Sequence, residues 1–216
     1  MPIDLGRQQL RTNPCEPAVS GETGPPRSAT QVETSEQPEP RPHTRRERGI
    51  EAVGFLTVVE HAEHGLFGGY LVLNPAGRPL EFHCTTPIRP SRAQQILYGP
   101  TLRPFLHGEQ IGRTLLEKAR KPVAAVLVDQ RDTLALSEHV DTPVLLLTGD
   151  DSGGGAHHEG LVDLAVGDQC LRIEPDCAND AHTIAEQLAV WARRVDLHEP
   201  FERIRQAIEE ARKSSQ

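Results

Sequence analysis

Three aspartates and two histidines are the residues of this chain best placed for chemistry. Asp129 directly follows the apolar run Pro122-Val-Ala-Ala-Val-Leu-Val128. Asp150 and Asp151 follow Pro143-Val-Leu-Leu-Leu147 by a few residues. Neither run alternates with polar residues, so both predict strands buried on two faces, as in a parallel sheet. In open α/β sheets, ligands bind outside the carboxyl ends of such strands. Two adjacent parallel strands would bring Asp129, Asp150 and Asp151 to one edge. Carboxylates gathered there suit a hard divalent cation, or acid and base roles. The simpler account is punctuation, because Asp is a common turn former and strands end in turns.

His83 and His157 are the candidates to assist that site. His83 lies in Leu80-Glu-Phe-His-Cys84, where neighbours face opposite sides. Leu80, Phe82 and Cys84 then share one face, and Glu81 and His83 the other. This phase separates His83 from Cys84 as a base and nucleophile, and it predicts Cys84 as a small buried hydrophobe. His157 lies in Gly149-Asp-Asp-Ser-Gly-Gly-Gly-Ala-His-His-Glu-Gly160. The glycines suggest a phosphate cradle. However, the loop lacks the Lys and Ser or Thr of a P-loop, and Asp150 and Asp151 would repel phosphate without a cation. Adjacent histidines rarely point to one centre, so a solvated loop is the favoured reading. His61-Ala-Glu-His64 lacks the spacing of a zinc protease motif, and no nucleophile elbow is present.

The elements that must position these residues follow from turn chemistry and periodicity. Asn74-Pro75-Ala76-Gly77 predicts a hairpin turn between Gly69–Leu73 and the Leu80–Cys84 run. With a strand over Val53 to Val59 this makes a three-strand antiparallel meander. Ser91, with Gln94 three residues on, predicts the N-terminus of a helix that stops at Gly99-Pro100. Ile111, Leu115 and Ala119 give a helix over Glu109 to Arg120 one apolar face. The stretch Asp129 to Thr142 is long enough for a short crossover, with a helical pattern around Thr133 to His139. A second hairpin is expected around Gly167-Asp168. Two helices close the chain, the second opening at Glu199-Pro200 with the stripe Phe201, Ile204, Ile208 and Ala211. Its Glu202, Arg205, Glu209, Arg212 and Lys213 side reads as ordinary solvated surface.

Composition sets outer bounds. Residues 1–49 hold eight of the 18 prolines, are rich in Ser, Thr, Glu and Gln, and are predicted to be a disordered tail. Residues 50–213 are expected to form a single α/β domain. Acidic and basic residues balance before Ile50, so the domain carries the net charge of −8. That charge, with 4% aromatics, disfavours nucleic acid as a partner. The four cysteines show no CxxC spacing and read as reduced thiols. No leader-like segment or membrane-spanning run is visible, so a cytoplasmic protein is expected.

The fold expected is α/β: a mixed sheet whose N-terminal antiparallel meander leads into a parallel pair, with helices packed on it and two C-terminal helices. The function expected is a non-enzymatic binding or adaptor protein with a protein or small-ligand partner. A homo-oligomer through the C-terminal helices is a further option. The alternative is a metal-assisted hydrolase of a phosphoester or similar substrate, using a divalent cation on Asp129, Asp150 and Asp151.

Overall fold

Seven strands form one mixed sheet, in which the third, second and first strands of the chain are followed by the fourth, fifth, seventh and sixth. The computed structural model describes residues 50–147, 160–176 and 181–214, all within the unit Arg45–Gln216. Strands β1 (Val53–His61), β2 (Gly65–Leu73) and β3 (Pro79–Cys84) make the antiparallel meander. The β2–β3 turn is held as its residues require: Asn74 Oδ1 accepts from the N–H groups of Ala76 and Arg78, both at 3.0 Å. Strands β4 (Val126–Val128) and β5 (Val144–Leu147) run parallel to β1 and to each other. The hairpin β6 (Val162–Val166) and β7 (Gln169–Ile173) adds two antiparallel strands beyond β5. The mixed sheet, meander and parallel pair are as the sequence predicts. The tail 1–49, with Cys15, lies outside the described residues.

Helices cover both faces. Helix α1 (Arg92–Tyr98) starts with a reciprocal cap: the Gln94 N–H donates to Ser91 Oγ at 3.2 Å, and the Ser91 N–H donates to Gln94 Oε1 at 2.9 Å. A continuous run of α2 (Leu102–Pro104), a π-helical segment (Phe105–Arg113) and α3 (Thr114–Lys118) follows. The helix predicted from Glu109 therefore begins earlier. The β4–β5 crossover is a 3₁₀ helix, Arg131–His139. That form advances farther per residue than an α-helix, which suits a short connection. Helices α4 (Ala181–Ala192) and α5 (Glu199–Lys213) cover the opposite face.

Strand alternation sorts the apolar residues into two cores. Val53, Phe55, Leu71, Leu127 and Leu145 pack with Leu188, Trp191, Phe201, Ile204 and Ile208 of α4 and α5. Leu56, Tyr70, Val126 and Leu146 pack with Ile111, Leu115 and Leu136 on the other side. Adjacent glycines in β2 allow this double approach. A Cβ on Gly68 would stand 2.1 Å from Ile111 Cγ2, and one on Gly69 would stand 2.2 Å from Ile204 Cγ2. Each helix layer thus occupies the volume of a missing side chain. The Phe201, Ile204 and Ile208 stripe is buried in its own core, which removes it as the seam of a homo-oligomer.

β3 is one edge of the sheet. Leu80 and Phe82 are 43% and 39% exposed, and Cys84 is exposed too. The predicted phase of this strand holds, but the expected burial of Cys84 does not, because an edge strand lacks full cover. On its other face Glu81 accepts from the N–H groups of Arg120 and Lys121, tying β3 to the end of α3. Among the described residues no helix is long and apolar enough to cross a membrane.

Gly69→Ala should destabilise by about 1–3 kcal/mol through overpacking. Ile204→Ala should cost about 2–5 kcal/mol through the cavity it leaves. Urea denaturation of the double variant should show less than the sum, because Ile204→Ala vacates the space that the new Cβ needs. Strict additivity would mean that the two residues do not share a volume.

Candidate active site

The parallel register decides what lies beside Asp129. Phe55 pairs with Leu127 and Leu56 with Val128, so Asp129 emerges next to Thr57 at the carboxyl edge of β4. Thr57 is fully buried, and its Oγ1 donates to Asp129 Oδ2 at 3.0 Å. Gln130 is anchored on the same strand, its Nε2 donating to Val58 O at 2.7 Å. These contacts fix the Asp129 side chain and its backbone to β1.

Helix α5 supplies the counter-charge. Phe201 and Ile204 seat the helix on the sheet, and Arg205 follows Ile204 on the flank that faces the edge. Its Nη2 donates to Asp129 Oδ2, and its Nη1 to Glu202 Oε1. Asp129 Oδ1 is buried and has no hydrogen-bond partner. Burial pushes the Asp129 carboxyl above its ordinary range, outweighing the Thr57 hydrogen bond, the Arg205 charge and the pull of its own backbone N–H. A buried carboxylate oxygen without a partner is costly, and a proton or a cation relieves it.

A cleft of about 460 Å³ opens over this pair. Asp196, His198, Glu199 and Glu202 line it with Asp129 and Arg205. Two of these groups are engaged in structure. Asp196 Oδ1 accepts from the His198 N–H at 2.9 Å, and Glu199 pairs with Arg203 Nε at 2.6 Å. Among the described residues no three His, Cys, Asp or Glu side chains converge as a metal-binding group.

The sequence candidates separate. Asp129 lies where expected, at the carboxyl edge of the parallel strands. Asp150, Asp151 and His157 lie outside the described residues, as does the rest of the glycine loop from residue 148 to 159. His83 is elsewhere. It pairs with Tyr70 of β2 across the sheet, on the face opposite α5, with β2 and β1 between it and β4. Its Nε2 lies 2.7 Å from Glu81 Oε1. This bond and the amides of Lys121 and Arg120 hold the Glu81 carboxyl below its ordinary value. His83 thus belongs to the β3–α3 tether.

Thr57, Gln130 and Arg205 were not legible as site residues. Thr57 sits in a strand with no neighbouring motif. Arg205 lies on the helix side read as solvated surface, where Arg212–Glu209 and Lys213–Glu210 pairs do occur. A buried histidine was also missed. His107, 2% exposed, lies in the π-helical segment, and its Nδ1 is 3.4 Å from Thr133 Oγ1. Burial pushes its pKa down. A separate apolar cavity of about 490 Å³ lies between Cys84, Phe67, Ile208 and Arg212. It is no smaller than the Asp129 cleft but lacks its carboxylates, so the chemistry favours the cleft.

No known family model matches the sequence, and no curated protein matches it. Among solved structures, the chain is similar to Endonuclease V of Ciona intestinalis in complex with a 23mer DNA containing an inosine followed by a ribo-adenosine. The identity is 11% and the TM-score 0.49, over 77% of this chain and 87% of that one. Against this comparison two expectations are corrected: the non-enzymatic adaptor and the exclusion of nucleic acid. The neighbour is an endonuclease holding DNA. Net charge sets a long-range field and not the local potential of a cleft. A likeness of this size transfers no residue, substrate or mechanism to this chain, whose site is argued from its own geometry.

The raised carboxyl sets a pH dependence. A carboxyl raised on folding adds stability below its unfolded pKa, and that stability is lost as pH rises through the folded value. In chelator, wild-type stability should therefore fall across this window, and Asp129→Asn should lose that fall. Parallel pH profiles for the two proteins would show that Asp129 is unperturbed.

The exposed edge strand makes a second expectation. A thiol reagent should modify Cys84 in the native protein about as fast as Cys170, which is also exposed. Modification of Cys84 only on unfolding would place it back in a core.

Proposed function

We propose that this chain is a metal-assisted hydrolase of phosphoesters, with Asp129 at the centre of its site. The observation that carries this reading is Asp129 itself: a carboxylate 12% exposed at the carboxyl edge of the central parallel strand, with one oxygen unpartnered, in a cleft lined by further carboxylates. A hard cation prefers oxygen ligands, and of the three aspartates read from the sequence Asp129 is the one within the described residues. Asp129 would hold the ion, and Asp150 and Asp151, three and four residues beyond Leu147, are the proposed further ligands. A divalent cation supplies Lewis-acid polarisation of a phosphoryl oxygen.

The chain's own residues orient and exclude water. Thr57 donates to Asp129 Oδ2, and Oδ1 is left without a hydrogen-bond partner. Leu147 and Phe201 form an apolar margin of the cleft, which strengthens charge interactions by excluding water. Nucleic acid returns as a substrate class to be tried, since a cation at an acidic cleft offers phosphate a local contact.

The test is hydrolysis of bis(p-nitrophenyl) phosphate and of labelled DNA and RNA oligonucleotides, with Mg²⁺ or Mn²⁺. We expect metal-dependent cleavage of at least one substrate. Asp129→Asn should lower it by about a hundredfold or more while leaving the circular dichroism spectrum intact. No cleavage under either metal, or full activity in Asp129→Asn, overturns the reading.

A further inference from the structure

β3 ends the sheet, and its outer side pairs with no other described strand. The Thr85 N–H donates to Gly68 O at 2.9 Å, and alternate residues of an antiparallel strand turn their backbone groups the same way. His83 and Glu81 therefore bond to β2, opposite Tyr70 and Val72. Phe82 and Cys84 turn their N–H and C=O groups outward. Natural edges are ordinarily blunted by bulges, proline or charge. Here Pro79 and the register shift beside Leu73 protect only the start of β3. Phe82 and Cys84 lie opposite Leu71 and Gly69, so their side chains share the face that α5 covers. Both are exposed, as is Leu80. Cys84 also lines the apolar cavity bounded by Phe67 and Ile208.

The run Leu80-Glu81-Phe82-His83-Cys84 is its own complement. Laid antiparallel on a second copy with Phe82 opposite the partner's Phe82, it sets Glu81 against the partner's His83 and Leu80 against the partner's Cys84. The apolar side chains then share one face, and a carboxylate meets an imidazole on the other. Centring the pair on Glu81 would oppose two carboxylates, and a one-residue slip would set polar side chains on apolar ones. The Phe82 register also joins residues with free backbone groups, so Phe82 and the partner's Phe82 exchange both N–H···O bonds of a closely spaced pair. Glu81 is already fixed by His83 and by the Arg120 and Lys121 amides, so the polar face is ordered before a partner arrives.

We propose that β3 is the seam of a two-fold dimer, in which two copies pair antiparallel about Phe82 into one continuous sheet. The partner's Leu80 lies beside Cys84 and covers the mouth of the apolar cavity. The seam is the sheet edge and not the buried stripe of α5. Strands β2 and β1 separate it from β4, so the Asp129 cleft of each copy stays open.

The experiment is sedimentation velocity of the full chain over a range of concentrations, with oxidative cross-linking to read the register. Wild type should pass from monomer to dimer as concentration rises. Labelling of Cys84 by a thiol reagent should slow in step, while that of Cys170 should not. Phe82→Lys should raise the dimer dissociation constant about tenfold or more with an unchanged circular dichroism spectrum. Leu80→Cys should form an interchain disulfide with the partner's Cys84, whose Cα this register brings to about 5.5 Å. Within one chain the same positions lie about 13 Å apart along the strand and cannot bridge. Peptide mapping identifies the linked residues. A chain that is monomeric at every concentration overturns the proposal and leaves the edge to a different chain. A dimer that Phe82→Lys leaves intact overturns it too, as does a bridge between Cys84 and the partner's Cys84 in wild type. Should Phe82→Lys not fold, the Leu80→Cys bridge decides, and its absence overturns the seam.

Discussion

The absence of a side chain at Gly69 is the constraint on which the site depends. Gly69 pairs with Thr57 across β1 and β2, and the space beside it is taken by Ile204 of α5. Seating Ile204 there sets the height of α5 above the sheet. The next residue, Arg205, then reaches Asp129, which Thr57 holds from the other side. A bulkier residue in β2 would lift the helix and take the guanidinium out of reach. Core packing and site electrostatics are thus one arrangement here. Gly68 does the same work for the opposite layer, where Ile111 and Leu115 close on the sheet.

Burial and charge oppose each other at Asp129. Desolvation disfavours the carboxylate, while Thr57 and Arg205 favour it. The arrangement leaves one oxygen satisfied twice and the other not at all. A carboxylate needed only for structure is usually satisfied on both oxygens, since each buried unpaired polar atom costs free energy. Glu81 is the contrast within the same molecule. Its oxygens accept from His83 and two backbone amides, its carboxyl is held low, and its role is to fasten β3 to α3.

No family model matches, so function is left to physical chemistry. The lack of a short motif and an overall negative charge are not by themselves evidence about a site. A site assembled from a strand end, a neighbouring strand and a distant helix leaves no motif. Thr57, Asp129 and Arg205 are separated by 72 and 76 residues.

The sequence by itself determined the elements and much of their order. Turn residues at Asn74 to Gly77, the cap at Ser91 and the unalternating runs before Asp129 and Asp150 act over a few residues, and local rules read them correctly. It also placed Asp129 at a strand's carboxyl end, because an apolar run that stops at an acidic residue needs no tertiary information. What the tertiary structure decided is everything that depends on cover and on partners. Leu80, Phe82 and Cys84 kept their predicted phase but lie exposed, because whether a strand sits at an edge is a property of the whole sheet. His83 went to a structural tether because the sheet order put two strands between it and Asp129. Arg205 looked like surface because a charged residue beside an apolar stripe is ordinarily solvated. Only the close approach of α5 over Gly69 turns it inward, and that approach is set by packing between residues more than a hundred positions apart.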